Sequence, residues 1–159
     1  MPLCLEITDE PNTSTGTEME VKLDDDTGYM RLVRVNGWFV EHDGASEILN
    51  RLTLDFEKVQ ADGSTTTTTL DLDQASASGA TAVMQTVNVP DGYTVIGWQQ
   101  TKYSLVKPYY KGFFVFVADS DGGQSIQSHS MGANSERSVR FPGPIRGIRY
   151  KYGQVIESF

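Results

Sequence analysis

Apolar and polar residues alternate with a period of two along much of this chain. The runs include Leu3-x-Leu5-x-Ile7, Val21-x-Leu23, Val33-x-Val35, Leu52-x-Leu54-x-Phe56, Leu70-x-Leu72, Val87-x-Val89, Phe114-x-Phe116 and Val139-x-Phe141. Such alternation places successive side chains on opposite faces of a half-buried strand. Turn signals separate the runs: Asp43-Gly44, Asp62-Gly63, Asp91-Gly92, Asp121-Gly122-Gly123 and Pro142-Gly143-Pro144. Glycine supplies positive φ at such corners without a steric penalty. A helical period is nearly absent. Its best candidate, residues 45–54, contains Ser46, Asn50 and Thr53 and sustains no apolar stripe. Many short strands at close spacing predict an all-β sandwich, barrel or prism. Residues 64–69 read Ser-Thr-Thr-Thr-Thr-Thr and predict an exposed strand, because threonine suits a pleated surface. Residues 74–81, rich in Ala, Ser and Gly, predict a solvated loop.

The strands also repeat. Val35-Asn36-Gly37-Trp38, Val95-Ile96-Gly97-Trp98 and Ile145-Arg146-Gly147-Ile148 align, each after an apolar-x-apolar run: Val21-x-Leu23, Val87-x-Val89 and Val139-x-Phe141. The first two are followed by a polar, aromatic-containing loop, another strand and an Asp-Gly turn. The third runs out at Phe159. Joining the two chain ends repairs it, with Leu3-x-Leu5-x-Ile7 standing where Leu52-x-Leu54-x-Phe56 stood. The aligned glycines are then 60, 50 and 49 residues apart. The pattern predicts three similar antiparallel sheets around an approximate threefold axis, the last built from both chain ends. Such closure ties down termini and reduces exposed edges.

Composition narrows the partners. The 159 residues suffice for one domain, 1–159. Thirteen Lys and Arg against 21 Asp and Glu give a net charge of −8. An acidic surface repels phosphate, so neither nucleic acid nor an anionic membrane is expected as a partner. No stretch approaches a membrane span. One cysteine excludes an intrachain disulfide framework and a multi-cysteine zinc site. The N-terminal residues carry no basic segment followed by an apolar run, so a cytoplasmic location is expected. Secretion by another route, or a removed leader, stays open. Asn12-Thr13-Ser14 matches a glycosylation sequon and is read as a polar loop.

At this point the sequence resembles the jacalin-related lectins, whose fold is a three-sheet β-prism. Three stretches carry the resemblance. Leu23-Asp24-Asp25-Asp26-Thr27-Gly28-Tyr29-Met30-Arg31-Leu32-Val33-Arg34-Val35 looks like the family's Phe-Asp-Asp-Gly turn, Tyr and alternating strand, with one residue inserted. Residues 52–63 resemble the strand that leads to an acidic-Gly turn. The run from Pro144 to Phe159 resembles the C-terminal pattern Ile-x-Gly-Phe-x-Gly-x-x-Gly-x-x-x-Asp-x-Ile. Together these cover about half the chain. The resemblance implies an all-β prism, no catalysis, no cofactor and no metal, and a glycan as partner. It also implies a sugar held between an N-terminal Gly-Gly loop and the C-terminal Gly-x-x-x-Asp loop. Here the first is Pro11-Asn12-Thr13-Ser14-Thr15-Gly16. The second is Gly153-Gln154-Val155-Ile156-Glu157, and Tyr150 replaces the family's first loop glycine. Glu157 can accept the bonds of an Asp, but one methylene farther out.

A sugar site needs acceptors, backbone donors and an aromatic face. The expected set is Tyr152, Gly153, Gln154, Glu157 and Gly16, with Tyr150 shaping the wall. Weak monovalent affinity would call for avidity, so a homodimer is expected. Equivalent loops could hold second sites: Glu41-His42-Asp43-Gly44-Ala45-Ser46 before Asn50, and Gln99-Gln100-Thr101-Lys102-Tyr103 with Tyr109 and Tyr110. Trp38 and Trp98 fall at matching positions and read as core or sheet-cap residues. Asp24-Asp25-Asp26 lacks the spacing of a calcium loop and reads as a solvated turn. Cys4 alternates with Leu3 and Leu5 and reads as structurally inert. Ser128-His129 is no catalytic couple, since adjacent strand residues face opposite ways. No nucleophile elbow, phosphate loop or dinucleotide fingerprint is present. The alternative function is a β-prism that has lost sugar binding and serves protein–protein assembly.

Overall fold

A computed structural model describes residues 17–24, 30–42, 45–72, 83–102, 110–119, 126–132, 137–140, 145–152 and 156–158. The described residues form eleven strands: β1 Thr17–Lys22, β2 Arg31–His42, β3 Ala45–Val59, β4 Thr65–Asp71, β5 Val83–Asn88, β6 Tyr93–Lys102, β7 Tyr110–Asp119, β8 Ile126–Gly132, β9 Arg137–Arg140, β10 Gly147–Tyr152 and β11 Ile156–Ser158. They make three antiparallel sheets, ordered β1-β10-β11, β4-β3-β2-β5 and β8-β7-β6-β9. This is the all-β prism that the alternation and the repeat predict. The sheet built from both chain ends is present, with β1 antiparallel to β10. Residues 3–7, expected to complete it, lie outside the described residues, as do Cys4 and the sequon.

One core serves all three sheets. It includes Leu32, Val35, Leu52, Leu54 and Phe56 of the β2–β5 sheet. Val95, Trp98 and Val117 come from the β6–β9 sheet, and Ile148 and Tyr150 from the third. The alternating runs put these residues on inward faces, and burying several large side chains from each sheet supplies the main stabilisation.

The registers give the threefold relation an atomic form, and they move part of it. Val35 faces Val87, Trp98 faces Val139, and Ile148 faces Val21. Two residues past the valine, Val89 donates its N–H to the Val33 carbonyl at 2.8 Å, and Leu23 to Arg146 at 2.7 Å. Three residues before the pivot, Leu32, Val95 and Ile145 are all buried. Val35, Trp98 and Ile148 are therefore the equivalent residues. The Gly-Trp alignment is right between the second and third repeats and three residues out in the first. A β-bulge on each strand marks the offset, because the Gly-Trp pair lies three residues farther from it on β2 than on β6. Val33 is the extra residue on β2, and Ile96 the extra residue on β6. The bulges coincide only in the corrected alignment, which lengthens the first repeat from 60 to 63 residues.

Candidate functional site

Of the expected sugar-site residues, Tyr152 ends β10 and Glu157 lies on β11, in the β1-β10-β11 sheet. Gly147 starts β10, where β1 comes close. A Cβ there would lie 2.7 Å from both the Val21 carbonyl oxygen and the Lys22 Cβ. Glycine thus permits the β1–β10 approach, and the register runs from Lys22–Gly147 to Thr17–Tyr152. Tyr152, at the far end of β10, is paired with Ile156 of β11, across a register irregularity after Lys151. The start of β1, the end of β10 and β11, which carries Glu157, therefore converge. Gly16, Gly153 and Gln154 lie outside the described residues.

Tyr150 is a correction. It is 1% exposed and belongs to the central core, on the same inward row as Ile148. Strand alternation decides this: two residues on from a buried Ile148, its ring goes inward. It presents no face to a solute, so it supports the end of β10 from beneath and forms no site wall.

Consecutive antiparallel strands also meet at their ends in the other two sheets. β2 and β3 meet at His42–Ala45, around residues 43–44, which lie outside the described residues. Near this end, Asn50 is the extra residue of a bulge opposite Trp38 and Phe39. It is 6% exposed, and its side-chain carbonyl has no hydrogen-bond partner. β6 and β7 meet at Lys102–Tyr110, with Tyr103 and Tyr109 outside the described residues. At the other candidate positions, the backbone carbonyl of the exposed Asp24 accepts from Arg146 Nη2 at 2.6 Å. Asp25 and Asp26 lie outside the described residues. Among the described residues, no group of three His, Cys, Asp or Glu could hold a metal. His129 sits on β8 opposite Val115.

The outer face of the β4-β3-β2-β5 sheet carries a polar network that the sequence did not reveal. Thr86 of β5 donates its hydroxyl to Asn36 Oδ1 at 2.8 Å. Asn36 Nδ2 reaches Thr53 Oγ1 at 3.1 Å and Asp55 Oδ2 at 3.2 Å. Arg34 Nε donates to Asp55 Oδ2 at 2.7 Å, and the Thr69 hydroxyl to Oδ1 at 2.6 Å. One chain of bonds thus crosses all four strands, and Asp55 is its hub, 7% exposed. Burial pushes the Asp55 carboxyl up. The hydrogen bonds from Thr69 and Arg34, the Arg34 charge and the bond from Asn36 outweigh it and hold the carboxyl below the usual carboxylate range. Beside it, Arg51 grips Asp71 in a fork, Nε to Oδ1 at 3.2 Å and Nη2 to Oδ2 at 2.6 Å. The same guanidinium lies 4.5 Å from the centroid of the Trp38 ring.

Chemically this face is a staple. Asp55 already receives three donors, and its small exposure leaves little room for a solute. The signal for it was the polar residues that alternate with core positions: Arg34 and Asn36 on β2, Thr53 and Asp55 on β3. Their partnership depends on cross-strand register, which bulges shift and which pattern reading cannot fix.

Comparison with known proteins tests the fold. Neither protein-family models nor curated proteins match the sequence. Among solved structures, the chain is similar to the Calystegia sepium agglutinin, with a TM-score of 0.53 at 14% identity. The superposition covers 99% of this chain and 94% of that one. The likeness is one of fold over the full length: three antiparallel sheets arranged as in a β-prism lectin.

Proposed function

We propose that this protein is a non-catalytic carbohydrate-binding protein, a lectin that recognises neutral sugars at the end of the β1-β10-β11 sheet. The observation that carries this reading is the pairing of the β1 start with the end of β10, and of that end with β11, in a chain with the fold of an agglutinin. Tyr152, Gly153, Gln154, Glu157 and Gly16 would make the contacts. Backbone N–H groups of the glycine-bearing segments would donate to sugar hydroxyls. The Glu157 carboxylate and the Gln154 amide would accept from them, and each net hydrogen bond contributes about 1 kcal/mol. Tyr150 holds β10 in place from the core. The acidic balance suits neutral glycans over polyanions.

A glycan array with the folded protein tests the reading directly, and binding of at least one neutral glycan is expected. Glu157→Ala should then weaken that binding by about tenfold or more, the loss of a charged acceptor. Undiminished binding by the variant would move the site elsewhere. The second reading, an assembly module, draws on the polar Pro11–Gly16 segment that stands where lectins of this type carry Gly-Gly. A blank array from a folded sample would favour it.

A further inference from the structure

The hairpin of β3 and β4 extends beyond the core. Its tip is tightly built: Gln60 donates its N–H to the Ser64 carbonyl at 2.7 Å, and Gly63 to the Gln60 carbonyl at 3.0 Å. Gly63 takes φ +84°, a region that favours glycine. The Asp62 carboxylate accepts from the Ser64 N–H at 2.9 Å and from its hydroxyl at 2.6 Å. Val59, opposite Thr65, is 72% exposed. Thr65, Thr66, Thr67 and Thr69 are exposed as well, on both faces of the strand.

β4 is also an edge. Among the described residues its only ladder partner is β3, and β1 of the neighbouring sheet approaches without joining it. The bonds already given fix which groups point outward. Ser64 and Leu72 bond toward β3, through Gln60 and Leu52. In an antiparallel ladder bonded residues alternate, so the even-numbered residues of β4 face β3. The N–H and C=O groups of Thr65, Thr67 and Thr69 therefore face away from the sheet. Natural edges are blunted by lysine, proline, a bulge or a cover. Residues 63–70 hold no charge and no proline, and the β3–β4 register from Thr53 to Val59 is unbroken.

The geometry points to self-association of two chains through β4, which joins their sheets across a twofold axis at Thr67. The second copy is the occupant that the edge fits. Centred on Thr67, Thr65 meets the partner's Thr69, Thr66 meets the partner's Thr68, and the outward groups of all three odd-numbered threonines pair. Asp62 and Asp71, which bound the neutral run, fall opposite uncharged positions in this register, so two acidic chains can meet without like charges face to face. Shifting the axis by half a residue toward Thr66 would set Asp71 against Asp62 of the other copy. The inference rests on this edge alone and is independent of the sugar reading.

Sedimentation and light scattering at roughly 100 μM, where a micromolar association is saturated, should show a dimer. Thr67→Pro removes an outward N–H that the parent hairpin does not use, and Thr67→Lys guards the edge with charge. Each should weaken association about tenfold or more while circular dichroism stays unchanged. Thr67→Cys in a Cys4→Ser background should cross-link on oxidation, because paired Cα atoms across the axis would lie about 5.5 Å apart. Thr65→Cys in the same background should not. A monomeric parent protein, a dimer indifferent to both Thr67→Lys and Thr67→Pro, or equal cross-linking by the two cysteine variants would overturn the inference. A monomeric variant that still binds a glycan would separate this outcome from the fate of the lectin reading.

Discussion

Trp38 and Trp98 stand in the same local sequence, an apolar residue two before a Gly-Trp pair, yet the fold uses them in opposite ways. Trp98 is 0% exposed at the centre of the core. Trp38 lies on the outer face of the neighbouring sheet, half-buried under Arg51 and opposite the exposed Met84. The difference comes from where a bulge falls. Ile96 is bulged just before Gly97, so the in–out alternation resets and Trp98 turns inward. On β2 the bulge is at Val33, three residues earlier relative to the glycine. By the glycine the alternation has already reset, and Val35, Gly37 and Phe39 take the inward places. A single extra residue decides whether a tryptophan builds a core or a surface.

The sharpest way to break this comparison is to truncate both rings. Trp98→Ala leaves a large cavity where three sheets meet and should cost about 3–5 kcal/mol. Trp38→Ala removes a half-exposed ring and a stacking contact and should cost about 1 kcal/mol. Urea unfolding of the two variants measures both. Equal losses would mean that the bulge assignment, and with it the three-residue correction, is wrong.

Asp55 comes next, because it holds the outer face on which Trp38 lies. Asp55→Ala strands Arg34, Asn36 and Thr69 without their shared acceptor and should cost about 2–4 kcal/mol. The carboxyl is held below its ordinary value in the folded chain. Its contribution is therefore complete above the ordinary aspartate value, about 3.9. It fades as pH falls from there through the lower folded value. Unfolding free energy followed from pH 7 to pH 2 should drop over that acidic window. Asp55→Asn should flatten part of the drop, and an unchanged profile would remove Asp55 as a hub.

Gly147 probes the third repeat. Gly147→Ala sets a methyl carbon against the Val21 carbonyl at a separation real contacts do not reach, so β1 must shift. The expected loss is about 1–3 kcal/mol. Because β10 carries Tyr150 and ends at the proposed sugar site, the same variant should also weaken any glycan binding. A thermal scan beside a binding titration reads both.

These expectations show how much the sequence could say. Period-two alternation carries the strands and their inward faces, because burial imposes it residue by residue. The recurrence of an apolar residue, glycine and a large apolar side chain carries the three sheets. Neither carries register. Val33 and Ile96 look like ordinary strand residues, and nothing in their chemistry announces a bulge. Tyr150 replaces a glycine of a lectin pattern, which points to a loop wall, whereas its spacing from Ile148 places it inward. The Asp55 hub needs four strands in register, and its residues are up to 50 positions apart in the case of Asn36 and Thr86.

The smallest expected effect is the most specific to Trp38. Arg51 makes two contacts at once, a fork to Asp71 and a stack on the ring. Both guanidinium and carboxylate are about one-third exposed, so water and salt screen the pair. Arg51→Ala should therefore cost about 1 kcal/mol in total. A double-mutant cycle separates its parts. Arg51→Ala with Trp38→Ala isolates the stack, for which about 0.5–1 kcal/mol of coupling is expected. Arg51→Ala with Asp71→Ala isolates the fork, expected at about 0.2–1 kcal/mol and shrinking as salt is raised. The stack involves a neutral ring and should respond less to salt. Zero coupling between Arg51 and Trp38, at any salt, would place the ring elsewhere than under the guanidinium. The outer-face position that distinguishes Trp38 from Trp98 would then lose its support.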